Sequence, residues 1–203
     1  MLIDELLLRD GLSPQIRLMV LTITAVWRAD WDCLQACTHA AAARALPSQD
    51  LEETLLQAVL FCGFPRVVTA FEQLGEVWPA ATPPAGGGLP PVEQGPAGLA
   101  LFAGIYGPNQ DAVAAMLRGF HQDFHDFVLE AAYGRVLTRP HFGPRMRELL
   151  AVGALAAQNQ LRQFVGHARG AMHFGSTKAE LRETLVTVFG DAPQVDQWMS
   201  RLR

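Results

Sequence analysis

Sliding the chain along itself by 130 residues, without gaps, sets LSPQIRLMV over FGPRMRELL and PSQDLEETLL over TKAELRETLV. Pro14 then meets Pro144, Arg17 meets Arg147, and two helix starts, at Ser48 and Lys178, coincide. Identity is low, but proline position, capping residues and helix spacing agree together, as one helical unit copied in tandem would make them. A duplication restricts the fold strongly, because both copies must take one shape and bury one face. Apolar residues recur at three- and four-residue spacing through both copies, which is the helical period. No stretch alternates apolar with polar residues long enough to form a half-buried strand. The sequence predicts an all-α protein.

The helix signals are local and chemical. Ser13-Pro14 and Gly143-Pro144 open two helices, with proline where its missing N–H costs nothing. Ser48 before QDLEETLLQAVLF and Thr177 before KAELRETLVTVF read as N-caps with acidic residues in the first turn. Residues 79–98 are rich in proline and glycine and are expected to lack regular structure. They would link a first unit, residues 1–78, to a second, residues 99–203.

Half of the residues are apolar, yet no stretch approaches the ~20 uncharged apolar residues a membrane span needs. The longest candidate span of that kind, residues 18–27, is closed by Arg28 and Asp30 and is too short. The start, MLIDELLLRD, is acidic where a secretory signal carries positive charge, so the expectation is a cytoplasmic protein with no membrane partner. With a net charge of −4 and no basic stripe, nucleic acid is not expected as a partner either. Cys33, Cys37 and Cys62 are too few and too uneven for a disulfide framework and suit a reducing compartment.

Several motifs of the second half fall in a definite order: Tyr133-Gly134, Thr138-Arg139-Pro140, Arg147-Glu148-Leu149, then His167 followed by Arg169-Gly170-Ala171. Gly175 and the acidic helix from Lys178 complete the series. In order and spacing this resembles the carboxymuconolactone decarboxylase family, which belongs with alkyl hydroperoxidase D in one helical superfamily. The resemblance covers residues 100–190; in the first half, residues 47–71 with their Gly63-Phe64-Pro65 turn are similar to the family's last two helices. It implies an alkyl-hydroperoxidase-D-like helical bundle whose central hairpin holds the site, assembled as trimers or hexamers of single units. A chain of two units would resemble a linked pair of subunits, so the expected assembly is a homo-oligomer, with a trimer of two-unit chains favoured.

Glu148 lies early in one predicted helix and His167 lies nineteen residues later in the next. An antiparallel helical hairpin brings two such positions together. A carboxylate beside an imidazole orients the ring and raises its pKa, so the pair can exchange a proton near neutral pH. A Glu–His pair between helices also serves many folds as a satisfied buried polar pair. The resemblance implies the catalytic role: a decarboxylase-like lyase acting on a small anionic organic acid or lactone, with no metal and no cofactor. Arg139, Arg145, Arg147 and Arg169 surround the motif and are candidates for holding a substrate carboxylate, with Tyr133 beside them.

The hydroperoxidase relatives carry a C-x-x-C pair one and two turns before the histidine, where this chain has Gln160 and Gln163. In the first unit the same offset puts Cys33 at the second redox position, Asp30 at the first, Cys37 at the histidine and Leu18 at the glutamate. Cys33 and Cys37 share a helix face but point poorly for a disulfide. Cys33 carries the alternative reading, a peroxidase-related oxidoreductase; a third is a ligand-binding member without turnover. His121 and His125 have the spacing of a metal pair on one helix face, but no further ligands accompany them, and they are expected at the rim of a packing helix.

Overall fold

The computed structural model describes residues 3–79, 86–190 and 192–202, and among them there are α-helices and short tighter or wider helical turns but no strand. After α1 (Ile3–Leu7), the Ser13 side chain accepts the Ile16 N–H and Pro14 opens α2 (Pro14–Arg28). Asp30 caps α3 (Trp31–Ala43) by accepting from Cys33 N–H, and α4 (Ser48–Val77) follows. Next come α5 (Pro91–Tyr106), α6 (Gln110–Phe120) and α7 (Gln122–Phe127), which runs into a π-helix at Val128–Leu137. The series then repeats as α8 (Pro144–Ala157), α9 (Leu161–His173) and α10 (Lys178–Phe189), and α11 (Pro193–Met199) ends the fold.

The starts of α8, α9 and α10 each lie 130 residues after those of α2, α3 and α4. The turns between them correspond as well: Ala29 and Asn159 are left-handed at φ 54° and 58°, as are Ala45 and Gly175 at 53° and 94°. Equal starts and equal turns bear out two tandem copies of one helical unit. The two copies share one core rather than owning one each. Leu18, Met19, Val20 and Ile23 of α2 pack with Leu149, Leu150 and Val152 of α8, and with Phe164, Leu181 and Leu185 of α9 and α10. A smaller cluster, Leu101, Phe102, Ile105, Tyr133 and Leu137, joins α5 to the π-helix.

The structure corrects two local expectations and bears on a third. Ser48 is the first residue of α4, Pro47 holds the cap position, and no side chain caps that end; Thr177 does cap α10, in a reciprocal capping box with Glu180. Residues 91–98, expected to be irregular, are the start of α5. Pro91 sits at the helix opening, where it needs no N–H acceptor, and burial of Leu101, Phe102 and Ile105 supplies the packing that local propensity does not. Finally, α4 is long and apolar enough to span a membrane by length and composition. Gly63, at φ 75° and ψ 166°, and Pro65 break it into two helices, and Leu51, Leu55, Ala58, Ala70 and Leu74 are buried in the core.

The two copies are locked by an exchange of ion pairs. Arg17 of the first unit reaches Glu183 of the second at 2.6 Å, and Arg147 of the second reaches Glu53 of the first at 2.7 Å. Every partner has a counterpart 130 residues away. Arg9 and Arg139 each add a guanidinium to those same two carboxylates. Arg17 donates to Thr187 Oγ1 and Arg147 to Gln57 Oε1, both at 3.2 Å. Arg17 also donates to the Arg9 carbonyl, and Arg147 to that of Arg139. Both Arg17 and Arg147 are fully buried.

A buried charge left without its partner destabilises by about 3–5 kcal/mol. Glu53→Ala, which strands the buried Arg147, is therefore expected to lower the unfolding free energy by about 3 kcal/mol or more in urea denaturation. Glu183→Ala should cost less, because Glu183 is 15% exposed where Glu53 is 2% exposed. Burial works to raise both carboxyl pKa values, but the hydrogen bonds and charges of the paired arginines outweigh it and hold both below 4.5. Groups depressed on folding stabilise above their unfolded pKa and lose that contribution as the pH falls through the folded value. Acid titration should accordingly weaken the wild type below pH 4.5 and narrow its advantage over Glu53→Ala.

Candidate active site

The α8–α9 hairpin turns at Gln158–Gln160, with Asn159 in the left-handed region, and so lays α9 back along α8. This brings Glu148 of α8 against His167 of α9, with Nδ1 at 3.0 Å from Glu148 Oε2. Both side chains are buried, Glu148 completely. A carboxylate only accepts, so Nδ1 carries the shared proton and Nε2 is the nitrogen left for exchange. Gly170, one turn past His167, makes room: a Cβ there would stand 2.6 Å from Glu148 Oε2. The other carboxylate oxygen, Oε1, is buried and receives no hydrogen bond among the described residues.

Burial disfavours the imidazolium and would lower the His167 pKa, but the Glu148 charge and its hydrogen bond outweigh burial, and the net shift is upward from 6.5. An aromatic group closes over the pair. Tyr106 presents its ring edge-on to His167 with centroids 6.3 Å apart, and Tyr133 donates its hydroxyl to Tyr106 at 3.0 Å. Phe102 packs on both tyrosines, at 4.7 and 4.9 Å. Burial raises the pKa of both tyrosines, so both stay neutral donors across the physiological range.

A cavity of about 460 Å³ lies beside this cluster, with Leu101, Leu137, Thr138, Arg139, Phe142 and Phe174 in its wall. Neither Glu148 nor His167 lines it; it shares Leu101, Leu137 and Phe174 with the packing around Tyr106 and Tyr133. The arginines expected to surround the pair are not turned toward it. Arg139 and Arg147 are bound to Glu53, Arg145 is paired with Glu180, and Arg169 lies exposed on α9. Arg139 alone of the four touches the cavity. Tyr133 is buried, with its hydroxyl engaged by Tyr106.

In the first unit the equivalent hairpin is apolar. Leu18 and Cys37 are fully buried, and Cys33 is half-buried one turn before Cys37. A hydrogen bond from Cys37 lowers the Cys33 pKa and raises that of Cys37 well above 9.0, while burial pushes Cys62 up to about 12. Asp30 is engaged in capping α3. His121 accepts the Asp123 N–H at the start of α7, and His125 pairs with Asp126 at 2.8 Å. From the sequence, Tyr106 and Tyr133 were candidates to line a pocket, with packing the commoner role of such tyrosines, and Glu53 was missed. Tyr106 reaches the site only because α5 folds over it, and Glu53 takes the arginines assigned to substrate; the repetition of Arg and Glu at one offset in both copies was the signal for Glu53.

Fold and site together define an all-α, two-unit chain that carries a buried glutamate–histidine pair in its second hairpin and an apolar counterpart in its first. The sequence profile of the carboxymuconolactone decarboxylase family matches residues 2–76 and 122–190, and the chain belongs to that family. It is similar to Peroxisomal protein 2 of Schizosaccharomyces pombe, 27% identical over 134 residues that make 64% of this chain and 63% of that protein. It is also similar to 4-carboxymuconolactone decarboxylase of Acinetobacter baylyi, 33% identical over 70 residues, 34% of this chain and 52% of the enzyme. The chain thus spans less than two thirds of the length of either relative.

The balance between burial and Glu148 gives a signed prediction. NMR titration should place the His167 pKa above 6.5 in the wild type and below 6.5 in Glu148→Gln, where only burial remains. A raised histidine stabilises fully below its unfolded pKa and loses that contribution as the pH rises through the folded one. The wild type should therefore gain most over Glu148→Gln at acidic pH and lose the gain in alkaline solution.

Proposed function

We propose that the chain is a carboxymuconolactone-decarboxylase-like lyase in which Glu148 and His167 act as an acid–base pair on a small anionic organic acid or lactone. The supporting observation is the buried contact of Glu148 with His167 Nδ1, which leaves Nε2 as a proton donor with a raised pKa. In such a decarboxylation the bond to the carboxylate carbon breaks, carbon dioxide leaves, and the electron pair enters a dienolate. His167 then protonates the carbon skeleton, and Glu148 stabilises the imidazolium before transfer. The cavity beside Tyr106 has room for a small acid, and Arg139 in its wall supplies the positive charge such a substrate would meet.

A second reading, a peroxidase-related oxidoreductase, is favoured by the lowered pKa of the half-buried Cys33 thiol. Turnover of 4-carboxymuconolactone, followed by ultraviolet absorbance, separates the two. His167→Ala should reduce the rate by about a hundredfold or more, the usual size of an acid–base contribution, while Cys33→Ser should cost little. Alkylation of all thiols should leave activity in place. The reverse ranking would move the chemistry to the first unit.

We also propose that the chain self-associates, as a trimer of two-unit chains. Phe64, Val68, Phe120 and Phe127 are large exposed apolar groups consistent with further contacts. Light scattering at micromolar concentration should give a mass of three chains; a stable monomer would contradict it.

A further inference from the structure

Helix α5 ends against two glycines of α9 that flank His167. A Cβ at Gly166 would stand 3.3 Å from Tyr106 Cε1, and one at Gly170 would stand 3.0 Å from Ile105 Cγ2. In the first unit these positions are Ala36 and Ala40, on either side of Cys37. The close approach brings the Tyr106 ring edge-on to the His167 ring. Tyr106 lies between the two segments that the family profile matches, so the family pattern does not supply it.

The hydrogen bonds of this cluster leave one donor over. Tyr133 gives its hydroxyl proton to Tyr106, and the proton of Tyr106 itself finds no acceptor among the described residues. Burial, with the Glu148 charge added, outweighs the Tyr133 hydrogen bond and raises the Tyr106 pKa, so this phenol is a donor and not a base. Tyr106 is half-buried, whereas Glu148 and Tyr133 are buried. It packs in the cluster whose Leu101, Leu137 and Phe174 also line the 460 Å³ cavity.

The lyase reading, on which this inference rests, asks for such a donor. When the bond to the carboxylate carbon breaks and carbon dioxide leaves, the electron pair spreads through the double bond to the lactone carbonyl oxygen. The carbon that then takes a proton is bonded directly to that carbonyl carbon. Proton donor and oxyanion donor must therefore stand side by side, as His167 and Tyr106 do, with ring centroids 6.3 Å apart. We propose that Tyr106 is a further catalytic residue, whose hydroxyl donates a hydrogen bond to the dienolate oxygen while His167 Nε2 protonates the neighbouring carbon. Tyr106 keeps its proton throughout. As the carbon is protonated the carbonyl reforms, so the bond is strongest while the charge exists, which is the condition for raising kcat.

Turnover of 4-carboxymuconolactone by the full chain, together with NMR titration of His167, tests this. Tyr106→Phe keeps the ring against Phe102 and His167 and removes only the hydroxyl. It should lower kcat about a hundredfold, the usual loss of one oxyanion donor, with little change in KM. The His167 pKa should stay above 6.5, which shows the acid–base pair intact. Tyr106→Phe with Tyr133→Phe removes both hydroxyls and strands neither, so it should preserve Tm and show the same loss of kcat. An unchanged kcat, a loss confined to KM, or a fall of the His167 pKa below 6.5 would each overturn the assignment. A wild type without turnover would remove the lyase reading and this assignment together. Activity lost in His167→Ala but kept in Tyr106→Phe would remove this assignment alone.

Discussion

The exchange of Arg17 with Glu183 and of Arg147 with Glu53 is the constraint on which the rest of this structure depends. Each arginine is fully buried and lies in the opening turn of the central helix of its unit, and each finds its carboxylate only in the other copy. Neither copy can fold alone without stranding a charge, which in a protein interior is more costly than almost any loss of packing. The exchange therefore makes α2 and α8 neighbours and forces the two hydrophobic faces into one core. It also explains why Arg147, immediately before Glu148 in sequence, does not serve the glutamate–histidine pair. Adjacent helical positions point about 100° apart, so Arg147 is committed to the seam while Glu148 faces α9.

On that scaffold the two hairpins have taken opposite courses. The first buries Leu18 and Cys37, which fill space with no ionic desolvation. The second buries a carboxylate and an imidazole at the same positions, a choice that carries desolvation cost and leaves Glu148 Oε1 without a donor among the described residues. Apolar side chains evidently fit this hairpin, since the first unit holds them. Retention of the polar pair in the second is thus not a requirement of the fold, and this physical asymmetry is what favours a chemical role for Glu148 and His167 over a structural one.

Much of this was legible in the sequence, for reasons that can be named. Ser13-Pro14, Gly143-Pro144 and Thr177 specify helix starts through backbone chemistry, and the structure begins α2, α8 and α10 there. The nineteen-residue spacing of Glu148 and His167 closes a hairpin of known helical geometry, and the side chains meet. Features that depend on contacts between distant segments were not legible. The helix at Pro91–Tyr106 forms against the π-helix, its sequence alone opposing it, and it carries Tyr106 to the histidine from a segment outside the family match. The partners of Arg139 and Arg147 were hidden for the same reason: a guanidinium near a motif has no stated partner until the other copy is placed beside it, whereas Arg145 pairs with Glu180 of its own copy.

Locked at the seam, the two copies form one cooperative unit. Native-state hydrogen exchange in low urea measures this directly, through the opening free energies of the amides in α2 and α8 and their convergence with denaturant. In the wild type the most protected amides of both helices should exchange through one shared opening, with the same free energy and the same urea dependence. Two separate openings, with α2 exchanging at markedly lower free energy while α8 stays protected, would show that the copies are independent and would contradict it.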